Sequence, residues 1–156
     1  MDKSFTPRIL ASLMLALGLL SAVAAPASAK SEINSSFIGS VAIDDTDTVA
    51  YFTEGKAVKG SSGFTHRWKG AAWRFKNAAN RDAFAASPEK HSPQFGGYCA
   101  WAVSRGYTAS IDPEAWKIYR GKLYLNYSKG VQAQWVEDIP GNIAKAENHW
   151  PGVLDN

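Results

Sequence analysis

Two stretches of alternating side chains, each folded back at a basic residue followed by glycine, restrict this chain to folds built on antiparallel hairpins. Phe64, His66 and Trp68 alternate with Thr65, Arg67 and Lys69, the period of a half-buried strand. Lys69-Gly70 turns the chain, and Trp73 and Phe75 alternate again around Arg74, so a β-hairpin is predicted over residues 64–76. A second is predicted from Trp116 and Ile118 through Arg120-Gly121-Lys122 to Leu123, Leu125 and Tyr127, its apolar residues on one face. Beyond that shared turn, no internal repeat of fixed period stands out.

Helical signals lie between and after the hairpins. Asn77 can cap a helix through Ala86, because its side chain accepts from free backbone N–H groups. Pro88 opens a short further turn, where its missing N–H costs nothing, and Pro93 stops it. A short helix is expected over residues 98–105, closed by Gly106, and Asp112 is expected to cap a turn begun by Pro113. Val131, Trp135, Ile139 and Ile143 recur every four residues, the seam of an amphipathic C-terminal helix. Pro140-Gly141 inside that seam predicts a kink or two successive helices. Residues 49–52, Val-Ala-Tyr-Phe, read as a short strand, with a further one at 56–58. Hairpins followed by helices, without strict β-α-β alternation, make the expected class α+β with a small antiparallel sheet.

The N-terminus sets the expected compartment. Lys3 and Arg8 precede an apolar run from Ile9 to Ala25, and Pro26 leads into Ala27-Ser28-Ala29. That is the form of a Sec-type signal peptide cleaved after Ala29, which places the protein in the periplasm or outside the cell. Residues 30–43 then read as a flexible leader, 44–152 as the domain and 153–156 as a tail. The net charge of +3 is dispersed, without the concentrated basic footprint that nucleic acid requires. No stable membrane anchor is expected after cleavage.

Few residues could carry chemistry. Cys99, the single cysteine, excludes a disulfide framework within the chain. It stands near a predicted helix N-terminus, where free N–H groups favour a thiolate; its other reading is a small buried hydrophobe. His66 shares a strand face with Phe64 and Trp68, His91 ends a short helix, and His149 has no partner in sequence. Asp44, Asp45 and Asp47 lack the glycine and closing glutamate of a calcium loop.

From Trp68-Lys69-Gly70-Ala71-Ala72-Trp73-Arg74-Phe75 through Ser87-Pro88-Glu89-Lys90 the sequence resembles the YHS domain. From Val49 to Gly152, including Pro93-Gln94-Phe95-Gly96-Gly97-Tyr98-Cys99-Ala100, it looks like the exported single-domain proteobacterial members. Metal-linked YHS domains carry a cysteine pair, and the resemblance places that pair at Lys76 and Asn80 here. The expected function is a binding domain rather than an enzyme. Its metal ligands would be Cys99 and His66, with His91 as a third, and copper or zinc as the ion. The alternative is a small-molecule or protein-interaction module using an aromatic cleft at Tyr98, Trp101 and Trp73. A thiol-dependent redox protein acting through Cys99 is a further alternative.

Overall fold

The computed structural model describes residues 29–155, so the expected signal segment, apart from Ala29, lies outside the described residues. The fold is α+β. In chain order it comprises α1 (Thr48–Thr53), β1 (Ser61–Trp68), β2 (Ala71–Phe75), α2 (Ala78–Ala86), α3 (Pro88–His91), α4 (Ala100–Ser104), β3 (Asp112–Tyr119), β4 (Lys122–Asn126), α5 (Lys129–Val136) and α6 (Ile139–His149). Short 3-10 turns at Ile43–Asp45 and Phe95–Gly97 precede α1 and α4, and a third, Gly152–Asp155, follows α6. Strands β1 and β2 form one antiparallel pair, β3 and β4 another.

These elements are one motif used twice, a repeat that the sequence reading missed. Ser61 answers Asp112, Ala71 answers Lys122, Ala78 answers Lys129 and Pro88 answers Ile139, each 51 positions on. Both hairpins carry their irregularity at the same place, between Ser61 and Thr65 and between Asp112 and Trp116. Both turn through two residues of positive φ, Lys69-Gly70 at 48° and 75° and Arg120-Gly121 at 50° and 75°. That is the turn whose twist matches the flanking strands. Asn77 and Ser128 cap the following helices, accepting from the N–H of Asn80 and Val131. Ahead of the first helix of each repeat the offset is 52. The Ala42 N–H donates to Ala72 O at 2.9 Å as Gln94 N–H donates to Leu123 O at 2.8 Å.

Each repeat closes on a stacked aromatic pair at equivalent positions. Trp73 meets Phe84 at 4.7 Å between ring centroids, and Tyr124 meets Trp135 at 5.1 Å. The first core gathers Val49, Tyr51, Trp73, Phe75 and Phe84; the second gathers Phe95, Val103, Tyr124, Trp135 and Val153. Burying side chains of this size contributes on the order of 2–3 kcal/mol each. Strand β4 serves both cores, with Leu123 and Leu125 facing the first and Tyr124 the second. Tyr127, expected on the Leu123 face, is 56% exposed because β4 ends at Asn126.

Two local readings change, and a third is settled between its two alternatives. Residues 49–52 are helical, since the Asp47 carboxylate accepts from the N–H groups of Val49 and Ala50 and starts α1; a cap outweighs the β preference of Val, Tyr and Phe. Residues 56–58 form no strand, although Val58 O accepts from Asp47 N–H. The proline-interrupted seam resolves as two helices, with Asp138 capping the second through Gly141 N–H. Leader and tail are both partly built into the domain. Ile33 is 2% exposed, Val153 2% and Leu154 8%, and Lys30 N–H donates to Leu154 O at 2.8 Å. The leader's backbone passes so close to Gly96 that a Cβ there would lie 1.8 Å from Glu32 O. Its tip, Phe37 and Ile38, is exposed.

Candidate functional site

The two repeats differ most at the residue that begins their first helix. In the first repeat this is Asp47, fully buried. One carboxylate oxygen accepts from Val49 and Ala50 N–H at 3.0 and 3.2 Å; the other accepts from Lys76 N–H at 2.9 Å and Asn80 Nδ2 at 2.8 Å. Lys76 Nζ reaches over to Glu54. The carboxylate thus ties α1 to the β2–α2 junction, with four donors meeting its two oxygens.

In the second repeat Cys99 holds that station. Its N–H donates to Ala109 O at 3.1 Å, as the Asp47 N–H donates to Val58 O at 2.8 Å. Its sulfur accepts from Tyr127 N–H at 3.3 Å, as Asp47 accepts from Lys76. The surroundings are otherwise changed. Lys76 is answered by Tyr127, Asn80 by Val131, Lys56 by Tyr107 and Val58 by Ala109. A cleft of about 260 Å³ opens here, lined by Cys99, Trp101, Tyr107, Ala109, Tyr127 and Val131, with Ala102 at its base. The Arg105 guanidinium lies 3.6 Å over the Trp101 ring and donates to Asn142 Oδ1 at 3.3 Å, fixing that wall.

Behind the sulfur stands Asn126, fully buried, where the first repeat has Phe75. Its Oδ1 accepts from Trp101 N–H at 3.2 Å and faces Cys99 Sγ at 3.9 Å. Its Nδ2 has no hydrogen-bond partner among the described residues. A buried amide with an unmade bond costs roughly 1–3 kcal/mol, a cost the Phe75 position does not carry.

Of the two readings of the thiol, the structure shows the buried one. Cys99 stands at the N-terminal end of a helix of five residues without a side-chain capping bond, and burial pushes its pKa up, against the opposing pull of the Ala102, Tyr127 and Trp101 N–H groups. At 1% exposure desolvation of the thiolate outweighs the helix end. Cys99 therefore rests as a thiol.

The other expected site residues are dispersed. His66 lies in the first repeat, its ring 6.0 Å from Phe84. His91, 8% exposed, faces Ser87 O through Nδ1 at 3.0 Å and sets its ring edge-on to Phe52 at 5.6 Å. Burial lowers its pKa, only partly offset by that carbonyl. His149 is exposed and lies beside Gly106. Of the aromatic trio, Trp101 alone lines the cleft. Tyr98 donates to Ser31 O at 2.8 Å, and Trp73 is buried in the first core with Nε1–H donating to Trp68 O at 3.1 Å. Among the described residues, no three His, Cys, Asp or Glu side chains converge as a metal-binding group. Tyr107, Tyr127 and Val131 were not among the expected site residues; the signal that finds them is the 51-residue offset from Lys56, Lys76 and Asn80.

Compared with family models, curated proteins and solved structures, the chain finds no match. The site therefore has to be read from its own geometry.

Proposed function

We propose that the protein is a non-enzymatic binding domain whose ligand is a compact aromatic or apolar small molecule held in the cleft over Cys99. One observation carries this reading. The station closed by Asp47, Lys76 and Asn80 in the first repeat is rebuilt in the second with Cys99, Tyr127 and Val131, which leaves an aromatic-walled opening. Tyr107 and Tyr127, 51% and 56% exposed, flank it as rigid apolar surfaces with polar tips. A volume of about 260 Å³ suits one or two fused rings. The resemblance to YHS domains supports the same station, since it sets their metal-linked cysteine pair at Lys76 and Asn80, the counterparts of Tyr127 and Val131. The N-terminal segment favours an exported protein that meets its ligand outside the cytoplasm.

Copper or zinc at Cys99 with His66 and His91 is the competing reading. It requires imidazoles that pack on Phe84 and Phe52 to leave those seats. Calorimetric titration with 2-naphthol decides between them. Saturable binding is expected, weakened at least about tenfold by Ala109→Trp, which fills the cleft from a half-buried rim position. Absence of naphthol binding, together with stoichiometric Cu(I) or Zn(II) uptake lost in Cys99→Ser, would overturn the proposal.

A further inference from the structure

A second pair of equivalent places lies at the hairpin tips, one contacted by the chain's own N-terminal segment and one not. In the first repeat the tip Trp68-Lys69 faces a groove also lined by Pro93 and Phe95. This chain's own segment Glu32-Ile33 docks against the tip and forms one wall of that groove. The Glu32 carboxylate pairs with Lys69 Nζ, Ile33 is 2% exposed against the first core, and Asn34 N–H donates to Gly96 O at 2.8 Å. The Lys69 ammonium sits 5.0 Å from the Trp68 ring centroid, so one cation serves both ring and carboxylate.

The second tip repeats this arrangement without the segment. Arg120 lies 5.2 Å from the Tyr119 ring centroid, as Lys69 does over Trp68. Lys122 pairs with Tyr119 across the hairpin and Lys117 with Tyr124, which puts both lysines on the Tyr119 face. Helix α6 runs on past the point where α3 stops, and Pro140, Ile143 and Ala144 form the opposite wall of a groove of about 280 Å³. Glu147 is the one carboxylate lining it, against Arg120 and Lys122. Neither cation has an ion-pair partner among the described residues, and both are exposed.

We propose that this groove docks an extended peptide of a partner protein carrying glutamate followed by an aliphatic residue, the chemistry that Glu32-Ile33 presents to the first repeat. The peptide carboxylate meets Arg120 and Lys122, and its aliphatic side chain lies on Ile143 and Tyr124. Charge complementarity and the twin of the site, where Glu32 pairs with Lys69 and Ile33 is buried, choose this occupant. A second copy is disfavoured because its own Ile33 is already buried.

The test is fluorescence anisotropy of a fluorescein-labelled peptide spanning residues 30–36, titrated with the folded protein at low salt. Saturable binding is expected, weakened about tenfold by Arg120→Glu/Lys122→Glu and by glutamine in place of the peptide glutamate. Because Arg120 and Lys122 are exposed, the double variant should melt like the parent. Lys69→Glu should leave the affinity unchanged. The proposal is overturned by absence of binding, by binding indifferent to Arg120→Glu/Lys122→Glu, by binding lost in Lys69→Glu, or by sedimentation showing that the protein dimerises through its own segment.

Discussion

Asp47 and Cys99 stand at one station of a duplicated motif. Each begins the first helix of its repeat, and each donates its N–H to the carbonyl of the residue eleven or ten positions on, Val58 or Ala109. Each then accepts an N–H from the far end of its hairpin, Lys76 or Tyr127. A carboxylate with four donors makes the first station rigid and closed. A thiol in the second, with an apolar valine where the first has asparagine, leaves room for a guest.

Restoring the first station in the second repeat should therefore close the cleft. Cys99→Asp/Val131→Asn supplies the carboxylate and the amide while Tyr127 N–H is retained. The double variant is expected to stay folded and to lose 2-naphthol binding by at least about tenfold, as read by calorimetry. Undiminished binding would place the ligand elsewhere.

Removing the carboxylate from the first station should be far more damaging. Asp47→Ala strands the N–H groups of Val49, Ala50 and Lys76 and the Asn80 amide, a loss of roughly 3–5 kcal/mol. Cys99→Ala should cost about 1–2 kcal/mol, because one weak N–H bond to sulfur and a small buried side chain are lost. Urea unfolding of the two variants checks the order.

Alkaline and acid limits follow from opposite shifts. Burial raises the Cys99 thiol above its ordinary 9.0 and the Tyr51 phenol, which donates to Pro113 O at 2.7 Å, above 10.0. Such groups add stability in full below their unfolded values, and that stability is lost as pH rises through their folded values. Burial lowers His91 below 6.5, so its contribution is present above that value and lost as pH falls through the folded one. Stability should be greatest between about pH 7 and 9, measured as the urea midpoint across pH. A midpoint still climbing at pH 10 would contradict the buried thiol and phenol.

The two hairpin turns should respond alike. Gly70 and Gly121 both hold φ at 75°, with nothing within 4 Å of an added Cβ. Alanine at either position meets only backbone strain, a loss of about 1 kcal/mol. A large difference between the two melting-temperature shifts would show that the hairpins are not equivalent in solution.

What the sequence alone determined is whatever depends on near neighbours along the chain. Both hairpins, the Asn77 cap, the Pro88 start and the α+β class were legible, because alternation, turn glycines and caps act within a few residues. The helix at Val49–Phe52 escaped because Val49, Tyr51 and Phe52 favour strands and only the Asp47 cap turns the balance. The duplication escaped for a deeper reason. Asp47 and Cys99, Phe75 and Asn126, Asn80 and Val131 share no chemistry, and their equivalence rests on backbone hydrogen bonds and strand register. Only the tertiary structure could reveal it. It places Tyr127 and Val131 beside Cys99, directs His66 and His91 onto phenylalanine rings, and desolvates the thiol enough to cancel the pull of its helix. Burial is set by what the whole chain packs around a group, and no local pattern carries that information.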